Sequence, residues 1–306
     1  MLRGRKFFFI LVLAAIGLML LLSLTIPFTF REEVVVPLGL SRTTELFTDK
    51  TLLAKWVVPG ISSGNDSIYV VKAYPDKIAL AYHVDGDDRV YDYLLERRRE
   101  PQRNCVVSLV KVTSLWKKYI DSDPVDRLAH ASLRNLHEFS NDSKKVYGFK
   151  INIGQATDSS YLFMTRQVPL ALQYVQPVLL FDSVIEFANH RFMRYNGNRY
   201  MNTHPLQHGM IQVTVGIGMD GYPPINADDP VTFKKNAPGQ QQVQLEFNDV
   251  FANVQEAYKA MDQYKRDHGI IVTDIPLEML ISLGYGFKAT DTVSLKLITP
   301  YLTNNP

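Results

Sequence analysis

The sequence predicts an α+β protein, and three features carry that prediction. An uncharged apolar run near the N-terminus reads as a single transmembrane helix. A meander of short strands closed by one amphipathic helix follows it. A strand–helix–strand–strand pattern then occurs twice, about 80 residues apart. The expected organisation is a cytoplasmic tip and anchor at 1–30, an α+β domain at 31–147, and a duplicated domain at 148–306.

Composition narrows the class without naming an activity. The 46% hydrophobic and 11% aromatic content excludes a disordered chain, and 17 Gly with 16 Pro excludes a collagen-like one. Cys105 is the single cysteine, which excludes an intramolecular disulfide and a multi-cysteine metal site. A net charge of +2 produces no field that would recruit nucleic acid.

Phe7–Ile26 spells FFFILVLAAIGLMLLLSLTI, 20 residues without a charge. At about 1.5 Å per residue this matches the hydrocarbon thickness of a bilayer. Arg3, Arg5 and Lys6 precede it, so the positive-inside rule keeps the N-terminus cytoplasmic and sends the bulk across. The expectation is a single-pass cell-membrane protein with an extracytoplasmic body, periplasmic in a Gram-negative cell, held in the lipid bilayer through Phe7–Ile26. A cleaved signal peptide is the competing reading, but its apolar core is shorter and a small-x-small site follows it.

After the anchor, Glu33–Leu38 reads as an entering strand and Ser41 as the cap of a short helix leading to Trp56. Strand-like runs follow at Ser67–Ala73, Lys77–Val84, Val90–Arg97 and Cys105–Leu115, separated by turn residues such as Tyr74-Pro75-Asp76. Pro124 opens a helix whose apolar face runs through Leu128, Leu133, Leu136 and Phe139 to about Asn141. This order, with VPLG…LF…LLAKWVVPG early and LRNLHEFSND in the last helix, resembles the START-like (SRPBCC, polyketide-cyclase) fold over about 33–147. The resemblance implies a sheet wrapped on the closing helix around a hydrophobic cavity.

Further on, Tyr161–Gln167, Phe192–Met201 and Met210–Gly216 read as strands and Val175–His190 as a helix. After the polar stretch Asp228–Gln241, Gln242–Phe247 is a strand and Asn248–His268 a helix, capped by Asn248 or Asp249 and stopped by Gly269. Pro276–Leu283 and Thr292–Thr299 are strands. The segments QVQLEFNDVFANVQEAYKAMDQYKRDHGI, DIPLEML and DTVSLKLITPYL resemble the second half of a GyrI-like effector-binding domain, the ligand-sensing part of multidrug-responsive transcription activators. The resemblance spans about 150–302. It departs from the family at Phe247-Asn248-Asp249, where a Gly–aromatic element is common.

The resemblance implies that Glu278 faces a cleft between the repeats, beside aromatic side chains. Physically, a buried carboxylate is costly unless paired, and a cationic amphiphile brings both charge and apolar area. Strand alternation permits Glu278 to point into such a cleft or into solvent. The candidate cleft walls are Phe163, Tyr174, Tyr195, Tyr200, Tyr258 and Tyr285. The expected function is binding of a small hydrophobic or cationic molecule, with no nucleic-acid partner and no helix-turn-helix. The alternative, implied by free-standing GyrI-like hydrolases of reactive cyclopropanes, makes Glu278 a general base with Tyr200 or Tyr285 orienting the substrate.

Other patterns are weaker. Gly216–Gly221 satisfies G-x-G-x-x-G, but Tyr222-Pro223-Pro224 forbids the helix that a dinucleotide site needs, so a glycine-rich turn is expected. Asp85, Asp87 and Glu96 mimic a calcium loop, but Arg89 and Val90 occupy positions needing an oxygen ligand and glycine. His204 and His208 are separated by Pro205, so no metal is expected there, and no cofactor motif is present. His130 and His137 share one face of a helix and read as satisfied surface residues. Arg97–Arg99 with Arg103, Lys117 and Lys118 forms a basic concentration in a hairpin, and Cys105 lies in an apolar strand as an inert thiol.

Overall fold

The computed structural model describes residues 2–58, 67–84, 86–98, 104–114, 117–118, 123–222, 224–237, 239–282 and 288–302. Asp85, Arg99, Arg103 and Tyr285 lie outside them. The chain divides into two compact units, Met1–Asp142 and Ser143–Pro306. Each contains one antiparallel sheet, and the class is α+β.

A helix, α1, covers Leu2–Thr25. Among the described residues, however, no helix is long and apolar enough to cross a membrane. The chain also enters sheet pairing at once, Pro27 lying opposite Ser114. The lack of such a helix among the described residues overturns the expected transmembrane anchor over Phe7–Ile26, and with it the bilayer partner and the single-pass location.

In the first unit, β1 (Pro27–Val36) is followed by α2 (Leu40–Thr48) and α3 (Lys50–Trp56). Four strands then form a meander: β2 (Ser67–Tyr74), β3 (Lys77–Val84), β4 (Asp87–Arg97) and β5 (Cys105–Ser114). The order across the sheet is β1-β5-β4-β3-β2. Two short helices replace the one expected. Asp49 ends the first and caps the second, accepting from the Thr51 and Leu52 backbone N–H. Ser41 is not the cap; that position is Gly39, which has no side chain to offer. The Trp56 indole donates to the Leu46 carbonyl at 2.9 Å, which fixes α3 against α2. Phe47 packs edge-on to Trp56 and beside Tyr93, and the Tyr82 and Tyr93 hydroxyls share a hydrogen bond of 2.6 Å.

The closing helix α4 (Pro124–Asn141) begins where Pro124 predicts, with Asp123 accepting from the Val125 N–H at 2.8 Å. It buries Val125, Ala129, Leu133, Leu136 and Phe139, a spacing of threes and fours. His130 and His137 tie it to β1, the first through the Glu32 carboxyl and the second through the Val35 carbonyl at 2.8 Å. Cys105 is buried, and desolvation pushes its thiol up to about 11.

The second unit opens with α5 (Ser143–Tyr147), β6 (Lys150–Gln155) and β7 (Ser160–Pro169). Next come α6 (Gln176–His190), β8 (Tyr195–Pro205), β9 (Met210–Met219) and β10 (Thr232–Lys235). The chain ends with β11 (Gln241–Val250), α7 (Val254–His268), β12 (Leu277–Ser282) and β13 (Thr292–Pro300). The sheet order is β10-β7-β9-β8-β12-β13-β11-β6. Read inward from either flank, β7-β9-β8 mirrors β11-β13-β12. The β7–β9 ladder pairs ten residues and the β11–β13 ladder nine, whereas β12 meets β8 through only three described pairs, at 278–280. Helix α6 packs on β7, β8 and β9, and α7 on β11, so both cover one face of the sheet.

Several expectations are corrected here. The polar stretch after Asp228 contains a strand, β10, which pairs with β7 through Thr232↔Phe163 to Lys235↔Ser160. Asn248 and Asp249 belong to β11; α7 starts at Val254, and its Asn253 cap donates its side-chain amide to Asp249 at 2.9 Å instead of accepting from the helix. Gly269 ends α7 in the left-handed conformation at φ 64°. The expected glycine turn is instead strand: Gly216 and Gly218 sit inside β9. Their lack of side chains has a packing cause. A Cβ on Gly216 would meet Phe163 Cδ1 at 2.4 Å, and one on Gly218 would meet Asp158 Oδ2 at 2.1 Å. Gly216→Ala is therefore expected to destabilise the unit by about 1–3 kcal/mol, because the Phe163 ring must leave its position. Urea unfolding would check this; an unchanged midpoint would refute the packing role.

Candidate functional site

The residue row that crosses the middle of the second sheet contains one anomaly. From β6 the aligned residues are Ile151, Leu245, Leu297, Glu278, Met201 and Val215, each directly opposite the next. The five apolar members belong to the core beneath α6 and α7. Glu278 stands among them with 1% of its surface exposed. Alternation along β12 therefore places it on the helix-covered face, not in solvent.

Its surroundings compensate the charge incompletely. The Tyr258 hydroxyl, projecting from the second turn of α7, donates to Oε1 at 2.8 Å. The other oxygen, Oε2, is buried and has no hydrogen-bond partner among the described residues. Burial raises the Glu278 carboxyl from its usual 4.5 to about 7; the Tyr258 hydrogen bond opposes that rise. Tyr258 is itself pushed far above the ordinary phenol range, first by burial and then by the neighbouring carboxyl charge. It remains a donor at every physiological pH. The site is thus a desolvated carboxyl group that is balanced between its charged and neutral forms near neutrality.

The remaining candidates fall elsewhere. Tyr200 and Phe163 lie on the opposite face, in a second small core with Tyr161, Leu277 and Ile298. Tyr200 pairs with Met279, the residue beside Glu278, and so points the other way. Neither can share a cleft with Glu278, which removes Tyr200 as an orienting hydroxyl. Tyr174 packs on the helix-side core and meets Phe251 edge-on at 6.1 Å, bringing the starts of α6 and α7 together. Tyr195 is exposed and aligned with Met219 at the end of β8. Arg199, next to Tyr200 on the helix face, holds its guanidinium 5.7 Å from the Phe181 ring centroid.

A polar centre on the far face escapes sequence reasoning. Asp158, 3% exposed, accepts from the Asn196 and Asn198 side-chain amides at 2.7 and 2.8 Å and from the Tyr200 hydroxyl. Its backbone carbonyl accepts from the Asn236 amide at 2.7 Å. Gly197 between the two asparagines has φ 89°, and the β8 register shifts there, so both amides reach one carboxyl. The Asn-Gly-Asn triplet within a strand pattern is the available signal for that bulge. With its oxygens occupied by three donors, Asp158 is a structural tie.

No family model matches the chain, and no curated protein matches it. Solved structures do resemble it, at low identity. The EcmrR–DNA complex within an EcmrR-RPo assembly is 12% identical, covering 61% of this chain and 75% of that one, with a TM-score of 0.42. The EcmrR C-terminal domain is 10% identical, covering 50% and 98%, with a TM-score of 0.36. A protein from Listeria innocua described as a hydrolase is 12% identical, covering 54% and 98%, with a TM-score of 0.34.

Proposed function

We propose that the second unit is a GyrI-like small-molecule-binding module whose ligand presents a cationic group, on a hydrophobic body, to Glu278. One observation supports this reading above the others: a carboxyl group 1% exposed, with one oxygen unpartnered among the described residues, set among apolar residues of the central strands. Such a group is costly in the free chain, and a cation that reaches Oε2 relieves the cost. Apolar area around it favours a lipophilic cation over a hydrated metal ion. Because Glu278 is enclosed, side chains of α6, α7 or the sheet part to admit the ligand, and association is slower than diffusion.

The test is a thermal-shift titration of the full chain with decyltrimethylammonium, wild type against Glu278→Gln. Wild type gains stability with the logarithm of ligand concentration at pH 8, and the variant gains none. At pH 6 the wild-type affinity falls about tenfold, because binding must first remove a proton held at about 7. Equal stabilisation of both proteins would overturn the assignment of Glu278.

A hydrolytic reading has its own support in the proton affinity of Glu278, which suits a general base acting on water. The neighbouring hydroxyl in that reading is Tyr258, not Tyr200. Turnover of an electrophilic substrate that disappears in Glu278→Gln distinguishes it from binding alone.

A further inference from the structure

The first unit has an open pocket of about 400 Å³ between α4, β1 and β5, within the size range of small-molecule sites. Its chemistry differs from the hydrophobic cavity that the START-like resemblance implies. Phe30 and Leu109 supply apolar wall, but five cationic side chains line it: Arg31, Lys111, Lys118, Arg127 and Arg134. Against these stand two acids, Glu32 and Asp126, among the described residues.

The ion pairs show how much of that charge is already used. Lys111 is held by Asp126, and Arg31 by Glu33 and Glu96. Glu32 is bound to His130, and Arg134 approaches it only at 3.8 Å with 62% of its side chain exposed. Lys118 rests its ammonium 3.8 Å from the centre of the Phe30 ring, so it carries its charge along an apolar wall. Arg127 is exposed, and its guanidinium has no ion pair or hydrogen bond among the described residues. Asp126, Arg127, His130 and Arg134 come from consecutive turns of α4, so the two arginines share one rim. Their planar forks suit a carboxylate or phosphate oxygen pair.

We propose that this pocket binds an amphiphilic organic anion, its head on Arg127 and Arg134 and its apolar body against Phe30 and Leu109. The site is separate from Glu278 and takes the opposite charge. Isothermal titration of the full chain with decanoate, inorganic phosphate and decyltrimethylammonium tests it, using wild type, the double variant Arg127→Gln/Arg134→Gln, and Glu278→Gln. Decanoate is expected to bind one per chain, more tightly than phosphate, and to weaken about tenfold or more in the double variant. Both arginines are exposed, so the double variant keeps its melting temperature, and its affinity for decyltrimethylammonium is unchanged. Glu278→Gln leaves decanoate binding intact. No decanoate binding, equal binding by the double variant, or loss of it in Glu278→Gln overturns the proposal. Phosphate binding as tightly as decanoate overturns the amphiphile and leaves a site for small anions generally.

Discussion

Glu278→Gln stabilises the ligand-free protein above pH 7 and leaves it unchanged below pH 4.5. Below its usual value of 4.5 the carboxyl is protonated whether the chain is folded or not, so burial costs nothing extra there. Between 4.5 and about 7 the unfolded chain releases the proton while the folded chain retains it, and stability falls as pH rises. Above about 7 the folded form is also ionised and bears the full cost, about 3 kcal/mol. The amide has the same shape, keeps an acceptor for the Tyr258 hydroxyl, and carries no charge. Urea unfolding of both proteins at pH 5 and pH 8 reads the difference directly: about 1 kcal/mol in favour of the variant at the first and about 3 kcal/mol at the second. A variant less stable than wild type at pH 8 would show that some unseen cation already satisfies the carboxylate. A residue whose removal strengthens the fold is one retained for a reason other than folding.

The largest loss of stability is expected at Asp158, on the other face of the same sheet. Asp158→Ala strands the buried Tyr200 hydroxyl and takes the acceptor from the half-buried Asn198 and exposed Asn196 amides. The expected cost is about 2–4 kcal/mol, because one buried donor is left unpaired and the charge-assisted bonds from the two asparagines are lost. Adding Tyr200→Phe to Asp158→Ala then recovers part of the loss, since one stranded donor disappears. Urea midpoints of the two single variants and the double variant measure that coupling. Strict additivity would mean that Tyr200 and Asp158 do not act together. The contrast with Glu278 is instructive: two buried carboxyl groups, one with three donors and one with a single donor, have opposite effects on stability.

Elements with their own hydrophobic pattern were legible. The meander strands β2 to β5, and α4 between Pro124 and Asn141, follow from alternation, turn residues and a proline start. The edge strands β6 and β10 were not, because KINIGQ and TFKK take their conformation from the strands they join. The helix over the apolar N-terminus was legible, but the membrane span inferred from it was not upheld. At the site, alternation showed that Glu278 and Leu280 share a face without showing which one. That depends on pairing with Met201 and Leu297, a register between distant segments. The same non-locality misplaced Tyr200 and Phe163, whose side is set by pairing with Gly216. Gly216 and Gly218 read as turn residues because a missing side chain carries no trace of what fills its place.

The two halves of the second sheet are each stitched by ladders of nine or ten residues, yet joined through three described pairs between β12 and β8. A sheet so built has a crease. Thermal twisting concentrates along its weakest ladder, and amide protons there exchange with solvent without either half unfolding. Glu278 lies on that crease, opposite Met201. Fluctuations that flex the joint therefore give intermittent access to a carboxyl group that is sealed in the resting structure. A molecule captured there ties one half to the other, and slowed deuterium uptake along β8 and β12 becomes its signature.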